Sequence, residues 1–124
     1  NGYTSVYLQY SYVRIRSLIK KAAPIKNSLP KDLAALIIPK ENILLIKLAK
    51  YPEAVRFAAL ERDPSSLVKY LFELAQLFND YYQSVNILQA EPAARTWRLN
   101  LLEAVGQTLK NGLELLGLET VEEM

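Results

Sequence analysis

Asp63–Gln89, DPSSLVKYLFELAQLFNDYYQSVNILQ, is the stretch whose reading decides the fold. Asp63-Pro64 is a start signal for a helix: an acceptor side chain at the N-cap, then a proline at the first helical position, where its missing N–H costs nothing. Leu67, Tyr70, Leu71, Leu74, Phe78, Tyr81, Val85 and Leu88 then recur at threes and fours, the period of one helix face. Burying such a stripe is worth roughly 25 cal/mol per Å2 of apolar surface, so it predicts a central strut over Asp63–Gln89. Neighbouring residues on a helix point about 100° apart. Tyr81 therefore continues the buried stripe, and Tyr82 emerges at its edge.

The flanking segments read as helices too. Downstream, Ala90-Glu91-Pro92 breaks the chain, and a helix from Pro92 to Leu116 is predicted with Ala94, Trp97, Leu101, Leu102, Val105, Leu109, Leu113 and Leu116 inward. Gly117 stands where a left-handed residue closes a helix, so Leu118 can fold back on the last turn. Upstream, a first helix is predicted from Thr4 or Ser5 to Ala23, stopped by Pro24, with Leu8, Tyr12, Ile15 and Ile19 as its buried stripe. Asn27, Ser28 and Pro30 mark a loop. Lys31–Ile38 fits a brief helix ended by Pro39. Glu41–Lys50 fits a small helix with Ile43, Leu44, Ile46, Leu48 and Ala49 on it. Pro52 suits the first turn of a further helix with Ala54, Val55, Ala58 and Ala59 inward.

Only 4 glycines and 6 prolines occur in 124 residues, which argues against a turn-rich β protein, while 51% hydrophobic residues suffice for one core. The expectation is a single domain over residues 1–124, an all-α bundle of about five or six helices. The absence of cysteine excludes disulfides and thiolate metal sites and favours a cytoplasmic setting. No apolar run approaches the roughly 18–20 residues of a membrane span, and the opening does not read as a signal peptide. The chain starts at Asn1 without an initiator methionine, which fits a piece of a longer protein.

Histidine is also absent, so the commonest general base, histidine metal ligands and Ser/His or Cys/His nucleophile pairs are excluded. The carboxylate pairs Glu122-Glu123 and Glu61/Asp63 fall in a tail and at a helix start, and the glycines form no phosphate loop. What stands out is aromatic and basic. In Val6–Leu18, VYLQYSYVRIRSL, Tyr7, Tyr10 and Arg14 share a second helical stripe. Up to Lys31 there are six bases (Arg14, Arg16, Lys20, Lys21, Lys26 and Lys31) and no acid; after Lys110 there are four acids and no base. Rings beside a guanidinium can stack unpaired bases and meet phosphate. The same residues also fit core tyrosines beside solvated arginines, or a protein-contact face. Net charge is only +2, so phosphate neutralisation alone gives weak binding.

At these residues the chain resembles the C-terminal anticodon-binding domain of bacterial arginyl-tRNA synthetase, the DALR type. VYLQYSYVRIRSL is similar to the family's QYAHAR or QYAYAR segment, and LAKYPEAVRFAAL to the segment after its variable loop. SLVKYLFELAQLFNDYY resembles its long helix, with the LA…F…Y pattern at Leu74, Ala75, Phe78 and Tyr82. TWRLNLLEAVGQTLKNGLELLGLETVEEM resembles its ending, with Arg98-Leu99 and the closing Met124. The four pieces occur in order and span essentially the whole chain. Two departures stand out: Tyr12 replaces the histidine of the QYAHAR form, and the segment naming the DALR type would lie before residue 1.

The resemblance implies a helical module that grips the anticodon loop of arginine tRNA, whose anticodons share a central cytosine. It places flipped bases near Tyr10, Tyr82 and Met124, with Gln9, Arg14 and Arg98 accompanying them; Arg14 and Arg98 also fit structural pairs within the bundle. The resembled enzyme joins arginine to its tRNA with ATP in a catalytic domain marked by HIGH and KMSKS, which this sequence lacks. No metal or cofactor is therefore expected for this chain itself, and its expected partners are the tRNA loop and that catalytic domain, with no membrane. The alternative expectation is a helical protein–protein module using the Tyr/Arg face.

Overall fold

The computed structural model describes residues 2–22 and 29–118, and among these it contains six helices. They are α1 (Gly2–Ala22), α2 (Leu33–Leu36), α3 (Pro39–Ala49), α4 (Tyr51–Leu60), α5 (Pro64–Ser84) and α6 (Pro92–Leu115). The strut α5 stands at the centre: α1, α3, α4 and α6 all pack on it, and α1 also lies along α6. Its stripe is buried from Leu67 to Tyr81, with Leu71, Leu74, Phe78 and Tyr81 wholly inaccessible, whereas Val85 and Leu88 lie beyond the helix and are half-buried, Ile87 entering the core in their place. Leu8, Tyr12, Ile15 and Ile19 of α1 and Trp97, Leu101, Leu102, Val105, Leu109 and Leu113 of α6 complete the core.

Both ends of α5 differ from expectation in instructive ways. Asp63 sits at the N-cap, but its side chain caps no backbone N–H; it accepts from the Ser65 hydroxyl, and the Ser66 N–H goes to the Asp63 carbonyl at 3.2 Å. The helix stops at Ser84, five residues short of Gln89. Val85 is extended, and the Asn86 side chain accepts the Gln89 N–H at 3.1 Å, a local bond that competes with helix propagation. The α6 terminus matches expectation. Gly117 has φ +76°, its N–H reaches the Glu114 carbonyl at 3.0 Å, and Leu118 N–H reaches the Leu113 carbonyl at 2.8 Å.

The remaining helices depart further. Thr4 and Ser5 lie inside α1, which is already helical from Gly2; Ala23, Pro24, Asn27 and Ser28 fall outside the described residues. On α3 only Leu44 of the expected apolar set is buried; Ile43 and Ile46 face outward, as does Ala59 of α4. The other buried residue of α3 is Glu41. One oxygen of its carboxylate accepts from the Ile38 N–H (3.0 Å) and Trp97 Nε1 (2.9 Å). The other accepts from the Tyr81 hydroxyl (2.6 Å) and Arg98 Nε (3.0 Å). Burial works against ionising this carboxyl, but the bonds from Tyr81, Ile38, Trp97 and Arg98 outweigh it and hold its pKa below the ordinary value. Burial and the bond to Glu41 push the Tyr81 phenol the other way, upward.

Replacing Glu41 by alanine leaves Arg98 without its counter-charge and is expected to cost about 3–5 kcal/mol in urea denaturation. A carboxyl whose folded pKa is depressed stabilises the protein above its unfolded value, here about 4.5, and that contribution disappears as pH falls through the folded pKa. The stability gap between the wild-type chain and Glu41→Gln should therefore narrow as pH drops below about 4.5; a constant gap would mean that folding does not shift the Glu41 pKa, and a wild-type chain that gains stability relative to the variant on acidification would mean that the folded carboxyl is held neutral. A second expectation concerns α5–α6 packing. A Cβ on Gly112 would stand 2.6 Å from both Leu71 methyls, and Leu71 is wholly buried. Gly112→Ala should destabilise by about 1–2 kcal/mol, overpacking exceeding alanine's helix preference.

Candidate nucleic-acid interface

The second stripe of α1 faces α5. Tyr7 is half-buried, with its ring centroid 5.1 Å from that of Phe72. Ser11 is wholly buried, and Tyr10 is 49% exposed. One turn beyond Tyr10, Arg14 crosses to α5. Its Nη1 donates to Asn79 Oδ1 at 2.7 Å and its Nη2 to the Tyr10 hydroxyl at 3.1 Å. Its guanidinium carbon lies 5.0 Å from the Tyr10 ring centroid and 4.6 Å from that of Tyr82. Tyr82 stands at the edge of the α5 stripe, 36% exposed, backed by Phe78 at 6.1 Å between centroids. One guanidinium thus joins two exposed phenol rings from two helices.

Three layers build this face. The apolar stripes of α1 and α5 bring the helices together. The offset of Tyr10 and Tyr82 from those stripes leaves their rings accessible. The cation–π interactions then hold Arg14 between the rings, each worth about 0.5–1 kcal/mol at an exposed site. Tyr82 borders an open cavity of about 610 Å3 that is also lined by Leu18, Ile87, Gln83, Asn86 and Gln89. The surface therefore offers ring faces, a fixed positive charge and amide donors and acceptors side by side, the ingredients for unpaired bases and phosphate.

The other expected residues are placed differently. Arg98 sits within the fold, its side chain 16% exposed, giving Nε to Glu41 and Nη1 to the Asn86 carbonyl at 3.2 Å. It is a structural pair that also pins the loop bordering the Tyr82 cavity. Gln9 is half-buried on α1. Met124 lies outside the described residues. Asn79 and Ser11 carry no signal in the sequence: each is an ordinary polar residue in a helix, and only the packing of α1 on α5 shows that they meet. Among the described residues there is no group of three or more acids that could hold a metal ion, and no helix is long and apolar enough to cross a membrane.

The family model of the DALR anticodon binding domain matches residues 8–124. The chain belongs to this family. The arginine–tRNA ligase of Actinobacillus succinogenes is 43% identical over 123 residues, which are 99% of this chain and 21% of that enzyme. The Frankia casuarinae ligase is 38% identical over 124 residues, 100% of this chain and 21% of that enzyme. The solved arginyl-tRNA synthetase of Thermus thermophilus superposes with a TM-score of 0.84 at 35% identity, over 95% of this chain and 21% of that one. The DALR domain described here thus spans about a fifth of the length of the curated relatives it matches. The helical bundle agrees with the all-α expectation. Nothing in these likenesses favours a protein–protein module.

Because both rings are exposed, Tyr10→Ala and Tyr82→Ala should each change the unfolding free energy by no more than about 1 kcal/mol, the worth of one exposed cation–π interaction. Phe78→Ala, in the buried stripe, should cost about 3–5 kcal/mol. Denaturation midpoints compare the three. A destabilisation at Tyr10 or Tyr82 as large as that at Phe78 would make that tyrosine a core residue.

Proposed function

We infer that this chain recognises the anticodon loop of arginine tRNA, with loop bases stacked on Tyr10 and Tyr82 and the backbone met by Arg14. The observation carrying this reading is the Arg14 guanidinium lying within about 5 Å of both exposed rings, which makes one stacking face from two helices. Family membership supports the same target. Tyrosine suits the task because it supplies a ring for stacking and a hydroxyl for base edges. Gln9 lies beside Tyr10 in sequence. Met124, carried over from the family resemblance, would add a soft side chain to the site. Arg98 contributes by holding the Asn86 carbonyl and so the loop beside Tyr82.

The enzyme to which such a domain belongs would join arginine to its tRNA with ATP, in a catalytic domain that is this module's second partner. The domain selects the tRNA, and the chemistry takes place elsewhere in that enzyme. Stacking is worth about 1–3 kcal/mol per base. Two platforms on a chain of net charge +2 therefore suit discrimination within a larger complex better than tight binding alone.

Titrating the 124-residue chain with an anticodon stem-loop RNA at two salt concentrations tests this. Affinity should fall as salt rises and fall again when the loop's central cytosine is changed. Tyr10→Ala and Tyr82→Ala should each weaken binding by roughly 5- to 150-fold, the stacking energy of one base. Equal affinity for both loops would refute specific readout.

A further inference from the structure

We propose that Asn79 is the positioning residue of the stacking face: its amide holds the Arg14 guanidinium against the rings of Tyr10 and Tyr82. This rests on the RNA reading above for its function, but not for its geometry. Asn79 lies on α5 one turn before Tyr82. Its Oδ1 accepts from Arg14 Nη1 at 2.7 Å, a shorter bond than the 3.1 Å one from the same guanidinium to the Tyr10 hydroxyl. Its Nδ2 lies within hydrogen-bond distance of the Ser11 hydroxyl (2.9 Å), the Ala75 carbonyl (3.0 Å) and the Tyr7 hydroxyl (3.1 Å).

The amide is thus fixed from one side by the buried α1–α5 seam and holds Arg14 on the other. Residues 7, 11 and 14 of α1 all converge on this one side chain. The two ends of an amide divide the work: an acceptor toward the cation, and two N–H donors shared among two hydroxyls and a carbonyl. Leucine has the shape and neither function. Aspartate keeps an acceptor for Arg14 but loses the donors and adds a negative charge where a phosphate is to be met. An arginine side chain carries about 2 kcal/mol of rotamer entropy. Anchoring its guanidinium before RNA arrives removes an ordering cost from binding.

The arrangement can be read directly in the RNA-free chain. By proton–nitrogen NMR, the Arg14 Nε–H resonance should carry a ring-current shift from Tyr10 and Tyr82. Asn79→Leu should abolish that shift, and Asn79→Asp should keep it. In the stem-loop titration, Asn79→Leu should weaken binding roughly 5- to 30-fold, about as much as Arg14→Ala does. The double variant Asn79→Leu/Arg14→Ala should bind no worse than Arg14→Ala, because Asn79 acts through Arg14. Asn79→Asp should show a shallower salt dependence than the wild-type chain.

An Arg14 resonance unmoved by Asn79→Leu, or effects that multiply in the double variant, would overturn the proposal. If Asn79→Leu fails to fold, the Asp variant decides: disappearance of the Arg14 signature there also overturns it. If the wild-type chain binds no loop, or Arg14→Ala changes nothing, the RNA reading fails while the resonance still decides what Asn79 holds.

Discussion

A carboxylate has about four lone-pair directions, and inside this bundle Glu41 has all of them filled by four donors from three parts of the chain. The Ile38 N–H comes from the turn into α3, the Tyr81 hydroxyl from the last turns of α5, and Trp97 Nε1 and Arg98 Nε from the first turns of α6. Removing a charge from water is expensive, and a buried ion pair stabilises only where the remaining polar atoms are also satisfied. Here they are, and among the described residues no buried side-chain nitrogen or oxygen lacks a hydrogen-bond partner. The apolar stripes bring helices together but allow them to slide and rotate; a carboxylate with four directed bonds sets their register. The same node reaches the surface, because Arg98 extends from Glu41 to the Asn86 carbonyl in the loop that follows Tyr82.

That separation of tasks explains what could be read from residues alone. The long helices were legible because each buries a continuous stripe, and only a helix of that period brings Leu67, Leu71, Leu74 and Phe78 to one side. Gly117 was legible because its backbone angle admits few alternatives. The short helices were not. α3 contributes just Leu44 and Glu41 to the interior, so its apolar composition misrepresents what it buries. Glu41 gave no signal, since a glutamate in the third helical position ordinarily serves the helix end in water. It does bond the Ile38 N–H there, but the other three donors come from distant sequence. The early end of α5 follows from Asn86 side-chain bonding, a local competition that periodicity does not register.

The proposed recognition face divides along the same line. Tyr10 and Arg14 were legible as neighbours because four residues span one helical turn. Tyr82 was legible as an edge residue because Tyr81 takes the buried direction. The meeting of the two groups depends on how α1 is rotated against α5, which lies in the packing. Asn79 belongs wholly to that hidden part: its bonds to residues 7, 11 and 14 cross between helices distant in sequence. Arg98 shows the opposite case. A basic residue in a family-like segment invites a direct RNA role, but the bonds it makes to Glu41 and Asn86 place it in the scaffold beneath the site.

The charge of the chain then constrains how this face can work. If the face binds RNA as proposed, a net charge of +2 leaves little affinity to counterion displacement, and selectivity would come from stacking and base-edge bonds. Those gains are small per base and are easily cancelled if the binding groups must first be ordered. A solvent-exposed tyrosine beside a freely rotating arginine would forfeit much of them. In this fold the arginine is tied to an amide, the amide to a buried seam, and the loop beyond Tyr82 to a buried carboxylate. The polar bonds inside the bundle and the aromatic face outside it are therefore one device: on the RNA reading proposed above, the rigidity set by Glu41 and Asn79 would let two modest stacking surfaces discriminate.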